Sequence, residues 1–497
     1  MKTQPIAAAA AYAADISSLT KRLPYFEVRG RNEKITSLAC AAADVLPGGL
    51  FFCLNGTRAD GHAFAAKAAG AGAAALVVER FLPLKTTQIL VKDARSAMAF
   101  MAGDFYGNPI GKMKLIGVTG TNGKTTTTYI LREIAETAGV KTGLIGTTCN
   151  KIGDTELPAR MTTPDPIELH ALFADMLSRG VRWAVMEVSA HAIDLRKMDG
   201  ARADIAVLTN VSQDHLDYFE TLERYKEVKK SYFAPDRCKH AVVNADDPAG
   251  REIIEAARTP VTTYGCENPS DVFAVNFETN AKGLKYVVNL FDDIYDVRFR
   301  LPGRYNMYNT LAAAAAARAL GASVKDIAAG IGALRSVPGR FNVLDTRPYT
   351  VIVDFAHTPE GIANVCKCAR EITRGRLTVV FGCGGDRDKA KRPLMGRAAG
   401  GAADFVILTS DNPRFEPPFD IMRQAEAGLR EAACRYVAIE NRREAIAYAL
   451  KTARKNDTVL ILGKGDENYQ EICGVKYPFG DADAVYEILG LKEEKAN

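Results

Sequence analysis

One ten-residue stretch constrains this chain more than any other. Gly117-Val-Thr-Gly-Thr-Asn-Gly123-Lys-Thr-Thr126 closes an apolar run, Leu115 to Val118, and opens a helix expected over Lys124 to Ala138. Backbone N–H groups and the dipole at a helix start hold anions, so strand, glycine loop and helix in this order form a phosphate cradle. In that reading Gly120, Thr121, Asn122 and Gly123 wrap the phosphates. Lys124 reaches the outer ones, Thr125 offers its hydroxyl to a magnesium ion, and Thr126 follows in the same turn. The strict spacing of such loops asks for glycine at 118, where Val118 stands, so Gly117 and Gly120 make this a variant. The apolar run Thr142 to Ile145 then completes a βαβ unit, which commits this part of the chain to an α/β sheet.

The 497 residues exceed what one core organises, and a prior of roughly 100 to 200 residues per domain suggests about three. Residues 1–112 read as a small α/β unit, with strands at Leu50 to Leu54 and Ala74 to Val78 around a helix at Ala63 to Ala69. A turn at Tyr106-Gly-Asn-Pro109 ends it. Residues 113–338 read as a central P-loop ATPase domain, with further buried strands at Trp183 to Val188, Ile205 to Thr209 and Ala241 to Asn244 in a mainly parallel sheet. After Val337-Pro-Gly339, residues 339–497 read as a Rossmann-like domain on strands Val351 to Asp354, Leu377 to Phe381, Phe405 to Thr409 and Val459 to Leu462. The fold class expected is α/β in three domains. Ligands of such sheets gather beyond the carboxyl ends of the strands, where Gly120, Glu187, Asn210, Asp354, Gly382, Asp411 and Gly463 fall.

Composition removes several classes of function. A net charge of +5 without a run of five Lys or Arg carries no nucleic-acid footprint. The alanine-rich start, Met1 to Ala14, lacks a cleavage site, and no window approaches about 20 strongly apolar residues, so neither a leader nor membrane insertion is expected. Ten cysteines without the paired spacing of disulfides or zinc sites read as reduced thiols of a cytoplasmic protein, and Cys366-Lys-Cys368 suits a helix turn or strand better than chelation.

Two strand ends beside the glycine loop carry metal-ligand types. Glu187, before Val188-Ser-Ala-His191, can aim a carboxylate at a hard cation beside the phosphates, and His215 in Asn210-Val-Ser-Gln-Asp-His-Leu-Asp217 can add an imidazole. With Thr162-Thr-Pro164, Asn244-Ala-Asp-Asp247, Pro338-Gly-Arg340, Asp354-Phe-Ala-His-Thr-Pro359 and Asp411-Asn-Pro-Arg414, these motifs follow one another in an order that resembles the Mur ligase family over nearly the whole chain.

That resemblance implies an ATP- and Mg2+-dependent ligase of peptidoglycan precursor synthesis, working as a monomer. Its acid would be the D-glutamate carboxylate of UDP-N-acetylmuramoyl-L-alanyl-D-glutamate, activated as an acyl phosphate, and its amine meso-diaminopimelate. Lys124, Glu187, His215 and Lys229 would form the catalytic set. Thr125 holds one magnesium ion, Glu187 and His215 the second, and Lys229 falls where the family carries a carbamylated lysine, an anion able to help ligate metal. Asn306, Arg340, Asp354 and His357 match nucleotide positions, and Ser37, Thr162, Thr163, Ser189 and Lys197 match the UDP-substrate side. Arg387, Asn412, Arg414, Gly463 and Glu467 match the amino-acid side, where a guanidinium such as Arg414 suits the extra carboxylate that separates diaminopimelate from lysine.

The chain departs from the family pattern at Thr36-Ser-Leu38, at Leu195-Arg-Lys197 and at Asp466, where the family shows Asp-Ser-Arg, a Gln and Arg pair, and His. A lysine-adding enzyme and a catalytically inactive nucleotide-binding relative therefore stay open as alternatives. Folylpolyglutamate synthetase shares the activation chemistry but is disfavoured, because here a segment containing Asp60-Gly-His62 precedes the ATPase domain.

Overall fold

Strand Lys114–Thr119, buried along all but its first residue, runs through an eleven-stranded sheet that organises the middle of the chain. It pairs in parallel with Trp183–Glu187 on one side and Ile205–Leu208 on the other. Thr142–Ile145, Ala241–Asn244, Val261–Gly265 and Val272–Asn280 continue the parallel order outward. Ile205-Ala-Val-Leu208 is apolar at every position and fully buried, as expected of a strand covered on both faces. The computed structural model describes residues 12–56, 59–280, 282–344 and 346–491, so most of the alanine-rich start read above lies outside the described residues.

Helix Lys124–Thr137 covers the sheet behind the glycine loop. Against it lie Arg304–Ala319 and Val324–Ala333, and the run Ala312 to Ala317 is buried throughout. Small side chains let these helices approach closely: a Cβ on Gly330 would meet Ile134 Cα at 2.5 Å. Beyond the parallel strands the chain adds an antiparallel meander, Gly283–Leu290 and Asp293–Phe299, which the strand reading above did not include. Its residues alternate between exposed and buried, a weaker signal than an unbroken apolar run.

The first sheet, of five strands, precedes this second one in the chain, with Ser37–Ala39, Gly49–Phe52, Ala75–Val78 and Thr87–Leu90 parallel and Glu27–Arg29 antiparallel at one edge. Its helix Ala94–Phe105 packs on helix Pro166–Ser178 of the central unit. Gly103 sits at the contact, where a Cβ would meet Arg22 Nη2 at 2.8 Å and His170 Cε1 at 3.1 Å.

The third sheet has six strands in the order Asn342–Leu344, Thr350–Asp354, Thr458–Leu462, Leu377–Phe381, Phe405–Leu408 and Tyr436–Ala438, all parallel but the first. Separate apolar clusters lie on its two faces, so it is doubly wound, as read from the strand spacing. Cys366 and Cys368 share the helix Pro359–Ile372, both buried. Among the described residues no helix is long and apolar enough to cross a membrane.

Candidate active site

The carboxyl ends of the second and third sheets face one another across a cleft of about 970 Å³. All seven strand-end positions noted in the sequence, Gly120, Glu187, Asn210, Asp354, Gly382, Asp411 and Gly463, line it. So do the residues assigned above to phosphate, nucleotide, metal and amino acid, together with Thr162 and Ser189. Ser37, Thr163 and Lys197 do not.

The glycine loop is shaped by its own backbone and by the next strand end. Gly120 has φ of 145° and Gly123 has φ of 85°, both in the region that favours glycine, and added Cβ atoms would collide with Thr209 Oγ1 and Asn309 Oδ1. Asn122 N–H donates to Asn210 Oδ1 at 2.9 Å, and Thr209 Oγ1 donates to the Asn122 carbonyl at 2.7 Å. Lys124 Nζ donates to the carbonyls of Gly120 and Thr121 at 2.9 and 2.7 Å, which keeps its ammonium inside the loop. Burial lowers the Lys124 pKa, opposed by the carboxylates of Glu187 and Asp214.

Glu187 is 1% exposed and held from three directions. Oε1 accepts from Thr125 Oγ1 at 3.0 Å and from Thr147 N–H at 2.9 Å, and Oε2 accepts from Thr147 Oγ1 at 3.1 Å. Arg340 Nη2 donates to Thr125 Oγ1 at 2.9 Å, linking the third unit to the helix Lys124–Thr137. Thr163 stands behind the cleft wall, donating to the Glu187 carbonyl at 2.9 Å and accepting from Ser189 N–H at 3.1 Å. Lys197 is paired with Asp165 at 2.9 Å and donates to the Thr163 carbonyl at 3.2 Å. Ser37 lies on the edge strand of the first sheet with a buried hydroxyl that finds no partner among the described residues.

Lys229 Nζ is buried and donates to the Gly120 carbonyl at 2.8 Å. Burial, reinforced by the Lys124 charge, holds its pKa well below the ordinary lysine value. The neutral amine is the form that adds CO2, so a lowered pKa favours the carbamate expected there. His215 has φ of 56° and stands edge-on to His191 at 4.8 Å between ring centres; burial pulls its pKa down to about 3, leaving the imidazole neutral as a metal ligand must be. Among the described residues no three His, Cys, Asp or Glu gather as a metal site. Hydroxyl and carboxylate oxygens at Thr125 and Glu187 nevertheless fit magnesium, which takes one or two protein oxygens and completes its shell with phosphate and water.

Asp214 and Lys391 were not singled out from the sequence, yet they form the most buried ion pair of the cleft, at 3.0 Å with side chains 5% and 8% exposed. Burial raises the Asp214 pKa, but Lys391, His215 and His357 outweigh it and the carboxyl ends well below its usual range. His357 donates through Nδ1 to the Phe355 carbonyl at 2.9 Å, given the tautomer that bond requires, and burial lowers its pKa to about 4. Asp354 accepts from the N–H groups of Phe341 and Ala356 at 2.6 and 2.7 Å, and Asn306 donates to the Pro302 carbonyl at 2.8 Å. The glycine run Gly382 to Gly385 was the available signal for Lys391, since it follows a strand and leads to Asp386-Arg-Asp-Lys-Ala-Lys391.

At the far end, Glu467 Oε2 accepts from Asn412 Nδ2 at 2.9 Å and from Lys464 Nζ at 2.8 Å. Arg414 has φ of 51°, donates to the Gly385 carbonyl at 2.7 Å and stands 3.5 Å from Glu471, while Arg387 is exposed at the cleft edge. Gly463 has φ of 113°. Asp466 lies beside the cleft, over Gly339, where desolvation raises its pKa against the opposing charge of Arg340.

Comparison with known proteins agrees with this arrangement. The pattern of the Mur ligase middle domain matches residues 118–317, the Mur ligase glutamate ligase domain matches 339–465, and the Mur ligase catalytic domain pattern matches 34–106. A UDP-N-acetylmuramoyl-L-alanyl-D-glutamate--2,6-diaminopimelate ligase of Geobacillus thermodenitrificans is 45% identical over 94% of this chain and 97% of its own length. One of the same name from Caldanaerobacter subterraneus is 42% identical over 94% and 98%. A solved structure of a ligase with that name superposes with a TM-score of 0.69 at 32% identity, covering 95% of this chain and 98% of its own. The chain belongs to the Mur ligase family, ATP-dependent ligases that form amide bonds.

Proposed function

We propose that this ligase joins 2,6-diaminopimelate to the D-glutamate carboxylate of UDP-N-acetylmuramoyl-L-alanyl-D-glutamate, a step of peptidoglycan precursor synthesis. The observation that carries the reading is the single cleft: Lys124, Thr125 and Glu187 lie in it with Arg387, Asn412, Arg414 and Glu467. The identity to relatives bearing that enzyme name, 45% and 42% over 94% of the chain, supports the choice of substrates.

A carboxylate resists attack by amines because its leaving group would be oxide. Transfer of the γ-phosphoryl of ATP removes that obstacle. The D-glutamate oxygen forms a bond to phosphorus, the bond to the ADP oxygen breaks, and Lys124 with the loop amides balances the moving charge. Thr162 and Ser189 border the acid. One magnesium ion held by Thr125, and a second held by Glu187 and His215 with carbamylated Lys229, would supply further neutralisation of the phosphates. Asn306, Arg340, Asp354 and His357 fix the nucleotide end.

The amine then attacks the acyl phosphate, loses a proton, and phosphate departs from the tetrahedral intermediate. Two charged groups suit the acceptor. Arg414 can offer a planar fork to the distal carboxylate, and Glu467 can take the distal ammonium by exchanging its present partners Asn412 and Lys464. Residues 1–112, with Ser37, would hold the UDP end, 113–338 the ATP, and 339–497 the amino acid. The test is phosphate release with the UDP-dipeptide and meso-diaminopimelate, L-lysine or L-ornithine as acceptor. Release only with diaminopimelate is expected; equal or faster release with lysine overturns the role given to Arg414.

A further inference from the structure

Thr147 meets Glu187 with two donors. Its N–H reaches Oε1 at 2.9 Å and its hydroxyl reaches Oε2 at 3.1 Å. Gly146 before it lies so close that a Cβ there would stand 2.6 Å from Glu187 Oε1. The Thr147 hydroxyl also lies 3.0 Å from the hydroxyl of Thr162. A hydroxyl owns one proton. With that proton on Glu187, Thr147 must accept from Thr162, so the chain of donation runs Thr162 to Thr147 to Glu187. Oε1 already takes two donors, Thr147 N–H and Thr125 Oγ1, whereas Oε2 takes one and keeps a lone pair open.

We propose that Thr147 is a positioning residue that couples occupancy of the UDP-substrate side at Thr162 to the readiness of Glu187 on the nucleotide side. The proposal rests on the reading above, in which Thr162 borders the acid and Glu187 serves the nucleotide. Hydrogen bonds in a chain polarise one another, so each bond weakens when its neighbour is lost. An anionic substrate oxygen that claims the Thr162 proton withdraws the donor from Thr147. Donation from Thr147 to Oε2 then weakens, and the carboxylate is freer to serve a cation. Charge delivered to Oε2 acts in reverse, releasing the Thr162 proton for the substrate. Linkage requires the two effects to be equal.

The experiment is calorimetric titration of the full chain with UDP-N-acetylmuramoyl-L-alanyl-D-glutamate, with and without Mg2+ and a non-hydrolysable ATP analogue. Wild-type affinity is expected to tighten about fivefold in their presence, at the lower end of ordinary coupling. Thr147→Val, which keeps the branched shape and removes the hydroxyl, should reduce that factor below about twofold, and Thr147→Ser should restore it. Thr162→Val breaks the chain from its other end and decides the matter if Thr147→Val does not fold by circular dichroism. Wild-type coupling retained in Thr147→Val, absent in wild type, or lost equally in Thr147→Ser overturns the proposal. No binding of the UDP-dipeptide to wild type would instead overturn the substrate reading, which keeps the two failures apart.

Discussion

Replacing Lys391 with methionine tests the seam between the second and third units. The side chain keeps its length but leaves Asp214 as a buried carboxylate without its 3.0 Å partner. At that distance the Coulomb attraction is about 5 kcal/mol for an effective dielectric near 20, and removing one member of a buried pair costs roughly 3–5 kcal/mol. Protonating Asp214 offers no relief, since taking an ordinary carboxyl from its pKa near 4 to pH 7.5 costs about 5 kcal/mol. Hydration is the cheaper route, and it requires the seam to open.

The other contacts across that seam are few: Arg340 to Thr125 at 2.9 Å, Gln213 to Asp388 at 3.4 Å, Thr358 to Asn122 and Asn122 to Glu360 at 3.3 Å, and the packing of Tyr305. A penalty of about 3 kcal/mol therefore appears as a shift toward open molecules, roughly 150-fold, rather than as unfolding. Phosphate-release kinetics should show kcat/KM lower by about a hundredfold. Small-angle scattering should show a larger radius of gyration, while the main unfolding midpoint moves by only a few degrees. The double change with Asp214→Asn should be strongly non-additive. A kcat/KM within about threefold of wild type, or a loss confined to the unfolding midpoint, refutes the reasoning.

Lys229→Met is expected to lower kcat by about a hundredfold or more, and a carbamate carbon signal seen by NMR in 13C-bicarbonate should vanish with it; a wild-type protein without that signal argues against the modification. Gly120→Ala forces a side chain onto Thr209 Oγ1 at a φ of 145°, so nucleotide affinity measured by titration should fall at least tenfold, and unchanged affinity would contradict the loop assignment. His170 is 1% exposed, both ring nitrogens lack hydrogen-bond partners among the described residues, and burial with help from Arg22 lowers its pKa to about 3. The unfolded chain takes up that proton below about pH 6.5 and the folded one does not, so stability falls with pH from 6.5 toward 3. Urea unfolding should therefore show about 2 kcal/mol less of a loss between pH 7.5 and pH 5 in His170→Phe than in wild type, and parallel losses would refute this.

What the sequence made legible was what neighbours in the chain determine. The phosphate loop, its helix and the strand ends could be placed because Leu115 to Val118 is an unbroken apolar run with glycines directly after it. Lys391 and Thr147 could not, because their partners Asp214 and Glu187 lie 177 and 40 residues away and neither pair repeats a short spacing. The meander from Gly283 to Phe299 escaped for another reason: its faces alternate, and alternation over seven or eight residues competes poorly with the buried runs around it. Lys197 shows how a residue type is read more easily than its partner. The sequence placed it on the UDP-substrate side, and the group it meets in the fold is Asp165.

The division of contacts explains why the site is built from two sheets. Apolar clusters stay almost wholly within one unit, with Tyr305 the clear crossing, since it packs from the central helix Arg304–Ala319 against the core of the third sheet. Polar pairs instead carry the seam, and each joins a residue of the phosphate side, Thr125, Asn122 or Asp214, to one of the third unit, Arg340, Thr358 or Lys391. Hydrophobic burial would make the closed state permanent, because its energy does not depend on what fills the cleft. Charged and hydroxyl groups with the nucleotide roles proposed above would instead respond to the triphosphate itself. A cleft closed by the groups that meet the nucleotide can exclude water while the acyl phosphate exists and reopen once phosphate and ADP have left.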